Sequence, residues 1–118
     1  MSYKQKILAT NLEYSNLVNP CSLVIQKTNT NSKKPEAWIS NNKTKTVSHF
    51  DLKGKSLIPT NIVVSETDNP TGLVYNNTQG FLITDGVKTP APSVLIAVTE
   101  QGTILGWNPL INPNLFYV

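Results

Sequence analysis

Two stretches of sequence decide the fold: Asn19-Pro20-Cys21-Ser22-Leu23-Val24-Ile25 and, 50 residues later, Asn69-Pro70-Thr71-Gly72-Leu73-Val74-Tyr75. In each, an Asn-Pro pair marks a turn, two residues follow, and an apolar run begins. Proline has no N–H to give a ladder, so it fits the first position of a strand. The aliphatic and aromatic residues after it favour a pleated sheet. Second apolar runs come next, Ala37-Trp38-Ile39-Ser40 in one half and Phe81-Leu82-Ile83-Thr84 in the other. Third runs end in glycine turns, His49 to Lys55 around Gly54 and Ala97 to Thr103 around Gly102. Matching these runs in order predicts two units, residues 19–65 and 69–109, of four antiparallel strands each. Four strands recurring at about 40–50 residues describe a β-propeller blade. A monomeric β-sandwich of about eight strands is the alternative.

The wider chain supports an all-β reading. Eight prolines and six glycines interrupt every stretch long enough for a helix. Strands are expected at Lys6–Asn11, Ser22–Gln26, Ala37–Ser40, Thr46–Leu52 and Asn61–Ser65. A second set is expected at Leu73–Tyr75, Gly80–Thr84, Ser93–Thr99 and Thr103–Trp107, with a short last strand at Leu115–Val118. The composition, 39% hydrophobic and 14% charged over 118 residues, can bury a core. No run reaches the roughly 18–20 apolar residues of a membrane helix.

All ten basic residues are lysine, and there are 14 Asn and 13 Thr. This usage suits an A/T-rich genome, bacterial or that of a large DNA virus. Without arginine there is no bidentate grip on phosphate or guanine. Six lysines (Lys33, Lys34, Lys43, Lys45, Lys53 and Lys55) meet only Glu36 and Asp51 over residues 33–55. Solvated loop charge is one reading of this segment. A polyanion- or nucleic-acid-binding face is the alternative.

The first unit resembles an NHL-type propeller repeat, carried by Asn19-Pro20, Ala37-Trp38-Ile39-Ser40-Asn41 and the His49–Lys55 hairpin. The whole is similar to an uncharacterised NHL-like β-propeller family. Its members share segments like Asn16-Leu17-Val18-Asn19-Pro20, Pro70 to Asn76, and Thr99-Glu100-Gln101-Gly102-Thr103-Ile104-Leu105-Gly106-Trp107-Asn108-Pro109. The resemblance spans residues 10–109 and implies a propeller fold with no established activity. Cys21 and Ser22 stand where that family has an aromatic and a glycine, and Gln101 where it has an aspartate. Its members carry a full ring, and this chain matches about two blades.

Two blades leave two apolar faces open. Head-to-tail copies close into rings when the rotation fits, so a homotrimer with six blades is expected. The strand at 6–11 would complete a blade edge, in its own chain or a neighbour's, and the tail 110–118 would pack at the closure. Trp38, Trp107, Phe50 and Phe81 are expected to pack between blades.

A catalytic constellation is not legible. Cys21 and His49 are the single cysteine and single histidine. Cys21 is expected to be a buried packing residue and His49 a hydrogen-bonded strand histidine. The seven carboxylates show no paired spacing, and no metal or cofactor motif is present. The expected function is therefore non-enzymatic: an oligomeric structural or interaction module binding a protein or other macromolecule. Alternatives are polyanion binding and a glycan-binding or hydrolytic propeller. The first residues do not form a signal peptide, which points to intracellular residence or packaging in a virus particle.

Overall fold

The computed structural model describes residues 4–26 and 34–118. Both Asn-Pro stretches become strands, each starting on its proline. Asn19 takes a positive φ of 53°, a conformation asparagine tolerates, and releases the chain into β1 (Pro20–Gln26). β5 (Pro70–Tyr75) starts on the second proline. Pro20 lies opposite Asn41 and Pro70 opposite Thr99, and in both ladders the register shifts just beyond the proline.

β1 pairs with β2 (Glu36–Asn41), β2 with β3 (Thr46–Asp51), and β3 with β4 (Ile62–Val63). This antiparallel four-stranded meander is sheet 1. The second half is built differently. β5 pairs directly with β8 (Leu95–Thr99), which pairs with β9 (Ile104–Trp107), forming the three strands of sheet 2. Between them β6 (Leu82–Ile83) and β7 (Ala91–Pro92) form a separate hairpin.

That topology corrects the match between the halves. Leu23 faces Ile39, and Leu73 faces Ala97; Ile39 then faces Ser48, and Ala97 faces Leu105. The counterpart of β2 is thus β8, and that of β3 is β9. Phe81–Thr84 belongs to an inserted hairpin and has no counterpart in sheet 1. Pro90 and Pro92 explain why this segment stays outside the sheet, since neither can donate to a ladder. Apolar runs alone do not distinguish a hairpin insertion from a sheet strand.

Both ends also differ from expectation. Lys6–Asn11 forms no strand, and a turn follows in which Thr10 O accepts from the Glu13 and Tyr14 N–H groups. Leu115–Val118 makes bridges in place of a full strand. The Val63 N–H donates to Asn114 O, and the Phe116 N–H to Val63 O; Tyr117 exchanges two bonds with Gly106. The tail therefore stitches β4 of sheet 1 to β9 of sheet 2 within its own chain.

The two sheets pack face to face. Trp38, Val47, Ile62 and Val64 from the first half meet Leu73, Leu95, Ala97, Leu105 and Trp107 from the second, and Phe116 closes the tail side. Polar contacts fix the alignment. Ser40 Oγ donates to Thr71 O at 2.8 Å, and Asn42 Nδ2 donates to Pro70 O at 3.1 Å and Glu100 Oε1 at 2.9 Å. Asn69 Nδ2 returns a bond to Asn42 O at 2.9 Å. The shortest dimension is 23 Å, which holds two sheets spaced about 10 Å apart and no third layer.

Candidate functional site

Residues opposite one another on a ladder share a face of the sheet. In sheet 1, Val24, Trp38 and His49 form one row and point inward. Leu23, Ile25, Ala37, Ile39 and Phe50 point the other way. They floor a groove of about 450 Å³, whose rim includes Ile7, Leu8 and Leu17. Leu23 is 62% and Ile25 50% exposed. In sheet 2, Val74, Val98 and Ile104 form the outer face; Val74 is 56% and Ile104 57% exposed. Beside them a smaller recess of about 90 Å³ is lined by Phe81, Leu82, Ile96 and Ile104. An antiparallel sheet facing water on one side alternates apolar-in and polar-out. Here sheet 1 exposes Leu23 and Ile25 on its outer face beside the buried polar Asn41, Thr46 and Ser48, and sheet 2 exposes Val74, Val98 and Ile104.

The four expected packing residues divide between these surfaces. Trp38 and Trp107 are buried between the sheets, with ring centroids 5.1 Å apart. Phe50 lies on the outer side of sheet 1, buried beneath Tyr14, whose ring meets it edge-on at 5.0 Å. Phe81 is exposed on the outer side of sheet 2.

The lysines do not converge. Lys33 lies outside the described residues. Lys43 and Lys45 sit in the β2–β3 turn, whereas Lys34 precedes β2 and Lys53 and Lys55 follow β3. Six-residue strands separate the two groups by about 17–20 Å. At one end the Asp51 carboxylate accepts from the backbone N–H groups of Lys53 and Lys55, both at 2.9 Å. Chiefly the Lys55 bond holds Asp51 below the ordinary value of 3.8, against a smaller desolvation. Asp85 is held below 3.8 in the same way by the N–H groups of Lys88 and Val87 in the β6–β7 turn.

His49 is a hydrogen-bonded strand histidine. Its ring stacks on Trp38 at 3.6 Å and 6°; Nε2 lies 2.8 Å from Glu36 Oε2 and Nδ1 3.1 Å from Pro59 O. Cys21, expected inside, is exposed. The irregular register after Pro20 on edge strand β1 turns it outward. β2 lies between Cys21 and His49, so the two form no catalytic pair. Among the described residues no cluster of three His, Cys, Asp or Glu could hold a metal. Among those residues, too, no helix is long and apolar enough to cross a membrane.

One signal lies upstream of Asn19. The 50-residue offset continues back to Ile7: Thr10-Asn11-Leu12 matches Thr60-Asn61-Ile62, and Ser15 matches Ser65. From 7–25 against 57–75, seven of 19 positions are identical, so the repeat starts before the first strand. Leu12 is thereby the counterpart of Ile62 in β4. Ile62 is fully buried; Leu12 is 92% exposed.

The chain is similar to two uncharacterised proteins of Acanthamoeba polyphaga mimivirus. One is 32% identical over 81 residues, covering 66% of this chain and 20% of the relative. The other is 28% identical over 100 residues, covering 82% of this chain and 25% of the relative. The matches thus span a quarter or less of each relative's length. No protein-family model matches the chain, and no solved structure matches it.

Proposed function

We propose that this chain is a non-enzymatic structural or interaction module, a two-blade segment of an NHL-like β-propeller completed by copies of itself. Three copies would supply six blades. The observation that carries this reading is the exposed apolar residues on both outer faces, Leu23 and Ile25 on sheet 1 and Val74, Val98 and Ile104 on sheet 2. A self-contained sandwich buries one face of each sheet and wets the other. A propeller blade buries both faces against its neighbours. The repeated proline-led strand and the matching β1-β2-β3 and β5-β8-β9 ladders support two equivalent units.

The relatives fit the same picture. Each is at least four times as long as its matched stretch, which leaves room for further blades in one chain. Their viral origin supports action inside a host cell or in a particle assembled there. A ring of identical copies presents each loop several times, which suits multivalent binding of a macromolecule. The separated lysine groups favour this reading over a polyanion face.

Sedimentation velocity across a concentration series tests it. The expected result is a species heavier than the 13.0 kDa chain, dissociating on dilution. A monomer of that mass at micromolar concentration would refute self-completion.

A further inference from the structure

We infer that a second copy docks head to tail, placing the outer face of its sheet 1 on the outer face of sheet 2, with its Leu12 at the edge of β9. This rests on the oligomeric reading above and adds its direction and its contacts.

Strand register sets the direction. The inward residues of sheet 1, Val24, Trp38 and Ser40, have Val74, Ile96 and Val98 as counterparts, which point outward from sheet 2. Conversely the outward Leu23, Ile39 and Phe50 of sheet 1 correspond to the inward Leu73, Ala97 and Trp107 of sheet 2. The interface inside the chain thus joins the front of one unit to the back of the next. Such a contact is heterologous, and it can be made again by another copy. The two exposed apolar faces are the front and back left over.

The internal contacts locate those between copies. Trp38 meets Trp107 at 5.1 Å within the chain; the counterpart contact sets Ile96 of one copy over the Phe50 position of the next, against the Tyr14 ring that covers it. Ser40 reaches the backbone of Thr71 at 2.8 Å; its counterpart places Val98 beside Cys21. Ile62 pairs with Val47 on β3, and the counterpart of Val47 is Ile104 on β9. Leu12 of the neighbouring copy therefore falls against Ile104, on the part of the β9 edge left open beyond Gly106, which the chain's own Tyr117 already pairs.

The test is a Val98→Cys variant treated with a short bismaleimide. Val98 is 40% exposed on the outer face, so the fold tolerates the change. The expected result is a ladder of covalently joined chains up to the full assembly. Neither the unaltered chain nor a Cys21→Ser/Val98→Cys variant should give it. Absence of the ladder from a protein that sediments as a multimer would overturn the head-to-tail docking and leave the oligomeric reading standing. So would joined dimers of the unaltered chain, which would place Cys21 against Cys21. A monomer would overturn both. Leu12→Asp, at a fully solvated site, should weaken association roughly tenfold or more; unchanged association would remove Leu12 from the interface.

Discussion

The indole rings of Trp38 and Trp107 meet at 5.1 Å between centroids and 54° between planes, one from each sheet. This contact sits at the centre of the core and joins the two halves of the chain. Removing either ring leaves a cavity that the rigid ladders on both sides cannot refill. Trp38→Ala and Trp107→Ala should each cost about 3–5 kcal/mol, measured by urea unfolding.

Polar side chains align the sheets where they come together. Asn42, buried in the β2–β3 turn, binds Pro70 O, Glu100 and, through its carbonyl, Asn69. Asn42→Ala leaves the buried Pro70 O without its donor and should cost about 1–3 kcal/mol. Gly106 needs its missing side chain, because a Cβ there would collide with Ser93 and Ile83. Gly106→Ala should cost about 1–3 kcal/mol through overpacking, read in the same unfolding measurement.

Exposed apolar residues should behave in the opposite way. Ile104→Lys changes a residue that touches little within its own chain, so its effect on chain stability should stay within about 0.5 kcal/mol. It should nonetheless dissociate the assembly, as read by the sedimentation coefficient. A large loss of thermal stability with assembly intact would contradict the assignment of that face.

Two carboxylates set an acid limit. Asp51 and Asp85 are both held below 3.8 by backbone N–H groups. Their contribution is complete above the unfolded value and is lost as pH falls through the lower folded value. Melting temperature should therefore drop below about pH 4. Asp51→Asn should be less stable at neutral pH and show a shallower acid decline.

The lysines yield a negative expectation. With two groups about 17–20 Å apart on opposite ends of sheet 1, the described lysines form no continuous basic stripe. Fluorescence anisotropy with a short DNA duplex at low salt should show only weak binding. Tight binding with a steep salt dependence would instead support the polyanion reading.

Much of the β architecture is legible from residue type. Asn19-Pro20 and Asn69-Pro70 mark both strand starts, because proline lacks a donor and fits a strand's first position. Strand order in the second half is not legible that way. Leu82 and Ile83 read like sheet residues, and only the pairing of Leu73 with Ala97 reveals them as an inserted hairpin. Cys21 is misjudged for a related reason: a register shift after Pro20, invisible in the sequence, decides which way it points. The described lysines from Lys34 to Lys55 are near in sequence and divided in space because the strands between the turns carry them apart. The upstream repeat from Ile7 was readable from the start, through Thr10-Asn11 and Thr60-Asn61. The exposure of Leu12 against the burial of Ile62 is what gives that repeat its meaning.

The proposed ring is completed by copies of this chain. Native mass spectrometry of the purified protein counts those copies directly. Three chains of 13.0 kDa each are predicted, the number that supplies six blades. A single chain as the sole species under gentle ionisation would contradict the claim.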